Sequence, residues 1–305
     1  MPSRPTRTPL TLGITGNTSK EGLWAPVADL LRDLDARGWP VCLHADIADG
    51  LAARGLVDSD VCSQQAVEDI AAQSDVLLSF GGDGTLLRAA HETDGHATPI
   101  LGVNIGRLGF LTKVEVRQLP AALDALAAGT TGVEERMTLD VRVGDALPVG
   151  VPAWALNDVV VDKSGTTSMI QIETHVGGAF LNTYWADGLV IATPTGSTAY
   201  ALSVGGPILA PGSESLVVAP IAPHTLTARP IVLPCHAELT LRIVTRGHPY
   251  AFACDGVSTL LSGDDDGDPI RIRRSDHVVR LVTLPGRDFF ETVRQKLSWG
   301  QGGVF

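Results

Sequence analysis

The sequence predicts an α/β domain followed by a β-rich domain, and three of its features support this fold class. Short apolar runs alternate with segments of helical periodicity up to about Val103, which indicates a parallel sheet with helices on its faces. After about Gly132 the pattern changes to short strand-like runs separated by glycine, proline and acidic turns, as expected for a mainly β domain. A chain of 305 residues is long enough for two domains.

The first domain, expected over residues 1–130, alternates strands and helices. Its strands are predicted where short apolar runs stand beside turn residues: Leu10–Thr15, Val41–His44, Asp75–Phe80 and Ile100–Val103. Its helices are predicted where apolar residues recur every three or four positions: Ala25–Gly38, Ala66–Gln73 and Leu86–His91.

The second domain, expected over residues 131–285, consists mainly of strands. They are predicted at Thr138–Val143, Ala155–Val161, Met169–His175, Gly188–Ala192, Glu238–Val244 and Ile270–Arg274. Near the C-terminus, Phe290, Val293 and Leu297 stand at i, i+3 and i+7, which predicts a final helix.

Charge and cysteine usage exclude several classes of protein. The formal net charge of −11 argues against a general binder of nucleic acid or of an anionic membrane surface. No apolar run is long enough to span a bilayer, and residues 1–10 lack the apolar region of a secretory signal. The 4 cysteines are far apart, which favours reduced thiols in a cytoplasmic protein.

The loop Gly81-Gly82-Asp83-Gly84-Thr85 carries the strongest local signal, because it joins a predicted strand to a predicted helix. Its glycines let the backbone approach a ligand, and the free amides at the start of the helix bind phosphate. A plain strand-to-helix turn explains two glycines but not a carboxylate among three. Asp83 suits two roles beside a phosphate: accepting a proton from a hydroxyl nucleophile, or holding a metal.

A second stretch, Asp187–Tyr200 continuing to Pro207, combines one carboxylate, many small hydroxyls and one tyrosine. Hydroxyls and amides at a turn before a short helix can bind a sugar or a base edge without bulk. A loop with hydroxyl-capped turns is the alternative. Asn157-Asp158, inside an apolar run, is a weaker signal for ribose or amide binding, and a strand end at the surface is its alternative.

Several familiar motifs do not fit. The sequence contains neither the dinucleotide fingerprint Gly-x-Gly-x-x-Gly at the Gly81 loop nor a P-loop. His91 and His96 stand five residues apart, which does not suit a zinc helix. The acidic run Asp264–Asp268 lacks the closing glutamate of a calcium loop, so a hairpin turn is expected there.

Together these stretches resemble the NAD kinase family over most of the chain, from about Asp75 to Gly300. The Gly-Gly-Asp-Gly-Thr loop alone is shared with lipid kinases, whereas the segment Thr193–Tyr200 with its Gly-Gly-Pro tail is more specific. The other matching stretches are Gly102–Thr112, Leu156–Asp158, Pro220–Leu226, Arg229–Pro234, Asp255-Gly256 and Lys296–Gly300.

The resemblance implies a Rossmann-like first domain, to which a C-terminal helix at about residues 286–305 returns. It implies that Asp83 is the catalytic base on the 2′-hydroxyl of the adenosine ribose of NAD, with ATP as donor and Mg²⁺ offsetting charge. The NAD-binding residues that it implies are Asp83, Gly84, Phe110, Asn157, Asp158, Asp187, Thr195, Thr198, Ala199, Tyr200, Ser203 and Ala222. The expected phosphate-binding residues are Gly81, Gly82, Gly84, Thr85 and Arg88, although Arg88 also fits a solvated helix position.

Two other functions stay open at this point. A lipid or diacylglycerol kinase shares the loop but needs an apolar acyl pocket, and a non-catalytic NADP-binding regulator has no need of Asp83. ATP and polyphosphate remain alternative donors, and NAD and NADH alternative acceptors. Family members commonly form homodimers and homotetramers, so either assembly is expected.

Overall fold

The structure is a computed structural model that describes residues 9–106, 109–165, 167–263, 267–286 and 288–299. Its α-helices are α1 Trp24–Arg37, α2 Ala45–Ala53, α3 Ser59–Gln65, α4 Asp83–Glu92, α5 Leu119–Ala128, α6 Tyr200–Ser203 and α7 Phe289–Leu297. Short 3-10 helices occur at Glu21–Leu23, Val116–Gln118 and Gly196–Thr198.

The strands, in chain order, are β1 Leu12–Gly16, β2 Val41–His44, β3 Ala66–Val67, β4 Val76–Gly81, β5 Ile100–Asn104, β6 Val114–Glu115, β7 Gly132–Val143, β8 Trp154–Ala155, β9 Asp158–Lys163, β10 Ile170–Val176, β11 Ala179–Ala186, β12 Gly188–Ala192, β13 Ser215–Ile221, β14 Ile231–Pro234, β15 Leu239–Val244, β16 Tyr250–Cys254, β17 Val257–Leu261 and β18 Ile270–Thr283.

The described residues form two compact units. The first comprises those up to Glu135 together with those from Val279 onwards, and the second is Arg136–Val278. The predicted fold class, an α/β part followed by a β-rich part, is confirmed. The acidic run at residues 264–266 and the chain from residue 300 lie outside the described residues.

The first unit is built on a parallel sheet with the strand order β3-β2-β1-β4-β5, continued by the end of β18 through Leu281 and Ile100. Strands β1, β4 and β5 are buried along their whole length, which explains why they are continuous apolar runs. Helix α1 buries the predicted stripe of Val27, Leu30, Leu31 and Leu34 and ends at Gly38 with a left-handed φ of 66°.

The second unit contains two sets of antiparallel strands. One has the order β14-β13-β12-β9-β16-β17. The other has the order β11-β10-β15-β18, and β7 pairs with both β18 and β8. Alternating side chains such as Val159, Val161, Leu189, Ile191 and Ile172 are buried in one core, which is the pattern that the short strand-like runs predicted.

Two local predictions were wrong. Ala66–Gln73 is not a helix, because Ala66 and Val67 pair with Leu43 and His44 as strand β3. The helix in this region, α3, lies earlier and is capped by the Asp58 side chain. The predicted strand Ala155–Val161 is interrupted at residues 156–157, where the backbone amides bond to a side chain from a distant turn.

Several elements had no counterpart in the prediction, among them α2, α5, β11, β13, β14, β16 and β17. No helix in the described part of the chain is long and apolar enough to cross a membrane.

Candidate active site

The Gly81–Thr85 loop stands where β4 ends and α4 begins, as predicted. A Cβ atom on Gly81 would overlap the Thr85 side chain, so only glycine fits there. Gly82 and Gly84 instead face open space, with no heavy atom within 4 Å of a Cβ built on either. The backbone amides at the start of α4 are therefore accessible to a ligand, and the helix dipole favours an anionic one.

The Asp83 carboxylate is held by the chain 27–29 residues further on. Oδ2 accepts a hydrogen bond from the Phe110 amide at 2.7 Å, and Oδ1 accepts the amides of Leu111 and Thr112 at 3.0 Å each. The Thr112 hydroxyl also donates to Oδ1, at 3.2 Å. The carboxylate is therefore held in one orientation at the first turn of α4.

A cavity of about 680 Å³ opens beside this loop in the first unit. Its lining residues are Asn17, Lys20, Gly81, Gly82, Gly84, Thr85, Arg88, Asn104, Ile105 and Gly106. This described lining contains the cations Lys20 and Arg88 and no carboxylate, so it suits an anion despite the net charge of the chain. Arg88 is oriented by a hydrogen bond from Nη2 to the Gly16 carbonyl at 2.7 Å.

Asn17, Lys20, Asn104 and Gly106 were not among the predicted site residues. A general rule of open α/β sheets could have found them. Ligands bind at the carboxyl ends of the parallel strands, and these residues follow β1 or belong to the end of β5 and the turn after it.

In the second unit, the hydroxyl-rich stretch forms a turn that holds itself together. The Thr193 hydroxyl donates to the Leu156 carbonyl at 2.5 Å and accepts the Gly196 amide at 3.1 Å. The Ser197 hydroxyl donates to the Pro194 carbonyl at 2.6 Å. Thr193 and Ser197 therefore shape the turn, as the hydroxyl-capped alternative predicted, and they are not the residues assigned to the ligand.

The assigned ligand residues of this turn differ in exposure. Thr195 is buried and its hydroxyl accepts from Arg136 Nη1 at 3.4 Å, whereas Thr198 and Ala199 are half-buried. Tyr200 is exposed at the start of α6, and Ser203 is exposed at its end. Ala222, just after β13, is exposed and has a positive φ of 43°.

Asn157 and Asp158 are placed by Asp255, which sequence reasoning did not assign to the site. The Asp255 carboxylate accepts the amides of Leu156, Asn157 and Asp158 at 2.8, 2.7 and 3.2 Å. These bonds take the place of sheet pairing at residues 156–157, where the chain passes from β8 to β9. Asn157 is half-buried there, and Asp158 is 6% exposed.

Burial raises the pKa of Asp158 to about 7, and the negative charge of Asp255 contributes in the same direction. The Tyr200 backbone amide donates to the Asp158 carboxylate and partly opposes this shift. Burial, followed by the charges of Asp162, Asp158 and Asp187, raises the pKa of Tyr200. Asp187 forms an ion pair with Lys163 at 2.6 Å.

The predicted residues thus form two groups. The first unit brings together the Gly81–Thr85 loop, Arg88 and Phe110, and the second brings Asp158, Asp187 and Tyr200 within electrostatic range of one another. Among the described residues, no group of three or more histidine, cysteine, aspartate or glutamate side chains is arranged to hold a metal ion.

Both units match family models. Residues 14–131 match the ATP-NAD kinase N-terminal domain, and residues 156–284 match the ATP-NAD kinase C-terminal domain. An NAD kinase of Geobacter metallireducens is 44% identical over 250 residues, which are 82% of this chain and 86% of that protein. An NAD kinase of Moorella thermoacetica is 39% identical over 289 residues, which are 95% of this chain and 89% of that protein.

Solved structures share the fold. A yeast NADH kinase complexed with NADH superposes with a TM-score of 0.84 at 21% identity, covering 98% of this chain and 91% of that one. An NAD kinase from Archaeoglobus fulgidus in complex with ATP gives a TM-score of 0.70 at 24% identity, covering 93% and 98%. On the strength of the two matching domains and the similar full-length relatives, the chain belongs to the NAD kinase family.

Proposed function

We propose that this protein transfers the γ-phosphate of ATP to the 2′-hydroxyl of the adenosine ribose of NAD, giving NADP. The observation that carries the proposal is the oriented carboxylate of Asp83, which lies between two glycines that line a cationic cavity. Phosphoryl transfer needs a positioned base and stabilisation of charge on the phosphate, and these two features supply them.

The phosphate chain of the donor occupies the cavity in this proposal. The exposed amides at the start of α4 donate to phosphate oxygens, and Lys20 and Arg88 offset their charge. The described lining consists of glycines and polar side chains apart from Ile105, and it contains no aromatic side chain. It is therefore suited to phosphate groups, which ATP and polyphosphate share, and it lacks the apolar wall that an acyl chain of a lipid needs.

Asp83 accepts the proton of the 2′-hydroxyl. An ionised carboxylate has about four acceptor positions, two on each oxygen. Three donors share the two positions of Oδ1, whereas Oδ2 accepts one hydrogen bond. The remaining position on Oδ2 is thus the one that receives the proton as the ribose oxygen attacks phosphorus in line.

Mg²⁺ enters this proposal as part of the MgATP substrate. Magnesium in kinase sites is held largely by phosphate oxygens and water, and the described cavity lining offers no carboxylate as a resident ligand. Bound to the phosphates, the ion supplies charge neutralisation of the transferring group.

In the proposal, the second unit supplies residues that bind NAD. Asn157, Asp158 and Asp187 supply acceptors for ribose hydroxyls and amide groups, and the small residues Thr198 and Ala199 leave room for the ligand. The raised pKa of Asp158 supports a donor role as well, because a neutral carboxyl can donate a hydrogen bond near pH 7.

The finer statements about location and assembly are also proposals. Cytoplasmic localisation is supported by the free thiols of Cys42, Cys62, Cys235 and Cys254. A homodimer or homotetramer is supported by strand β11, on which Phe180 and Trp185 are 62% and 47% exposed.

The test is NADP formation by the purified protein with NAD, ATP and Mg²⁺, compared with Asp83→Asn. We expect the variant to lose on the order of a hundredfold or more in kcat, as for loss of a general base. Asp49→Asn, an exposed aspartate on α2, is the matched control and should keep the wild-type rate.

If the wild-type protein binds NADP but forms none from NAD with either ATP or polyphosphate, the non-catalytic regulator becomes the better interpretation. If it phosphorylates diacylglycerol instead of NAD, the lipid kinase alternative is correct.

A further inference from the structure

We propose that Gly109 and Thr112 are positioning residues for the reaction, which act by fixing the Asp83 carboxylate. The inference rests on the proposed role of Asp83 as the base. It concerns residues that touch Asp83 and are not assigned to the substrate or to the phosphate.

Gly109 acts by leaving space. An ideal Cβ atom built on Gly109 would overlap Oδ1 and Cγ of Asp83 and would also crowd the Thr112 hydroxyl. The carboxylate therefore occupies the volume that any other side chain at position 109 would take. This close approach is the reason that glycine is required at position 109.

Thr112 acts by donating hydrogen bonds. Its amide and its hydroxyl both reach Oδ1 of Asp83, and its side chain is 0% exposed. A buried hydroxyl needs a partner, and this partner is charged, which strengthens the bond. Because the hydroxyl and two amides all bind Oδ1, the other oxygen, Oδ2, keeps a position for the incoming proton.

Asp83 is fixed at two points, through its backbone at the start of α4 and through its carboxylate. The backbone of Asp83 is fixed by the helix, and its side chain is fixed separately by residues 110–112. A shift of about 1 Å in a reacting group can cost a factor of about a hundred in rate. Removing one of the fixing contacts should therefore lower kcat much more than it changes nucleotide binding.

The experiment measures kcat and the KM for NAD in the full-length protein for Gly109→Ala, Thr112→Val and Thr112→Ser. We expect kcat to fall about a hundredfold in Gly109→Ala and about tenfold in Thr112→Val, which loses one hydrogen bond to a charged group. The KM for NAD should stay within about threefold, and Thr112→Ser should recover most of the rate. Gly22→Ala is the control, because a Cβ there meets no atom within 4 Å.

A double-variant cycle separates positioning from general loss of structure. If Thr112 acts through Asp83, adding Thr112→Val to Asp83→Asn should change the residual kcat by less than about twofold. A further tenfold loss in the double variant, or a wild-type rate in both Gly109→Ala and Thr112→Val, would overturn the inference while leaving Asp83 as the base.

Failure of the proposed function has a different signature. In that case the wild-type protein forms no NADP, or Asp83→Asn keeps the wild-type rate, and the positioning inference is overturned together with the role of the base. Thermal unfolding of each variant, measured in parallel, identifies a rate loss that comes from an unfolded fraction, and a loss fully explained in that way also counts against positioning.

Discussion

Asp158 is a carboxyl group whose protonation is set by its surroundings. It is 6% exposed, and its neighbour Asp255 holds three backbone amides with its own carboxylate. Removal from water disfavours the charged form, and the negative charge of Asp255 adds to that effect, so the pKa of Asp158 rises to about 7.

This raised pKa predicts how stability depends on pH. Between about pH 4 and about pH 7 the folded protein keeps a proton on Asp158 that the unfolded chain has lost. Because the unfolded state then binds fewer protons, the contribution of this group to the free energy of unfolding falls as pH rises through that window and levels off above it. The full change is on the order of 4 kcal/mol.

Asp158→Asn should remove that dependence. We expect the variant to be more stable than the wild type at pH 8, and the difference to shrink at pH 5, where the wild-type carboxyl is neutral. Urea unfolding of both proteins at the two pH values measures this. If the free energies of unfolding of the two proteins differed equally at pH 5 and pH 8, the raised pKa of Asp158 would be contradicted.

Some residues of the candidate site could be predicted from the sequence, and the contacts that orient them could not. Asp83 and its glycines are adjacent in the chain, so their role could be predicted from a short pattern. The contacts that orient Asp83 come from residues 110–112, and those that place Asn157 come from Asp255, 98 residues away. No local pattern encodes such contacts, because they depend on how the chain returns to the same place.

Among the elements, the hairpin of β16 and β17 has the most specific effect on the candidate site. Its turn is Asp255-Gly256, with positive φ values of 50° and 81°. Asp-Gly is typical of two-residue hairpin turns in which both residues are left-handed. The turn thereby projects the Asp255 carboxylate onto the segment before β9, and this one contact shapes the Asn157-Asp158 pair.

Asp255→Ala should destabilise the protein by about 2–4 kcal/mol. Three amides lose their acceptor, and alanine tolerates the left-handed conformation poorly. Asp255→Asn keeps an acceptor oxygen and the tolerance for that conformation, so its loss should be clearly smaller. Urea unfolding at pH 7.5 measures both, and equal effects of the two substitutions would contradict the argument.

Helices and strands were predicted with unequal success for physical reasons. Helix α1 has a regular apolar stripe and a glycine stop, and β12 is a continuous apolar run, so both were located from sequence. The segment at Ala66 has helical periodicity but forms two residues of parallel strand beside β2. Tertiary pairing there outweighs local preference, which no single-sequence argument can weigh.

At the scale of the whole molecule, we propose that the two compact units are separate folding domains. The expected boundaries were residues 1–130 with about 286–305, and 131–285. The compact units change over within strands β7 and β18, which span residues 132–143 and 270–283. A change of unit inside a continuous strand leaves no turn or linker signal, so the composition change could locate it only approximately. Each unit has its own buried cluster, around Phe80 in the first and Phe252 in the second.

Hydrogen exchange in the full-length protein tests this independence. Asp255→Ala should speed amide exchange in peptides from β9, β12 and β16 and leave β1 and β4 unchanged. Gly50→Ala should speed amide exchange in β1 and β4 and leave β9, β12 and β16 unchanged. A Cβ at Gly50 would overlap the buried ring of Trp24 in the first unit. Faster exchange in both units from either substitution would show a single cooperative unit.

Strand β18 also determines the order in which the protein can be completed on the ribosome. Its last residues, from Val279, belong to the first unit, where Leu281 pairs with Ile100. Those residues are translated only after all of residues 136–278, which takes on the order of ten seconds at typical elongation rates. During that time β5 lacks this neighbour around Ile100, so the nascent first unit has an incomplete sheet edge while the second unit is being synthesised. An unpaired edge of this kind is a target for chaperones and for mispairing. The second unit begins later in the sequence, yet all of its residues are synthesised before the first unit is complete.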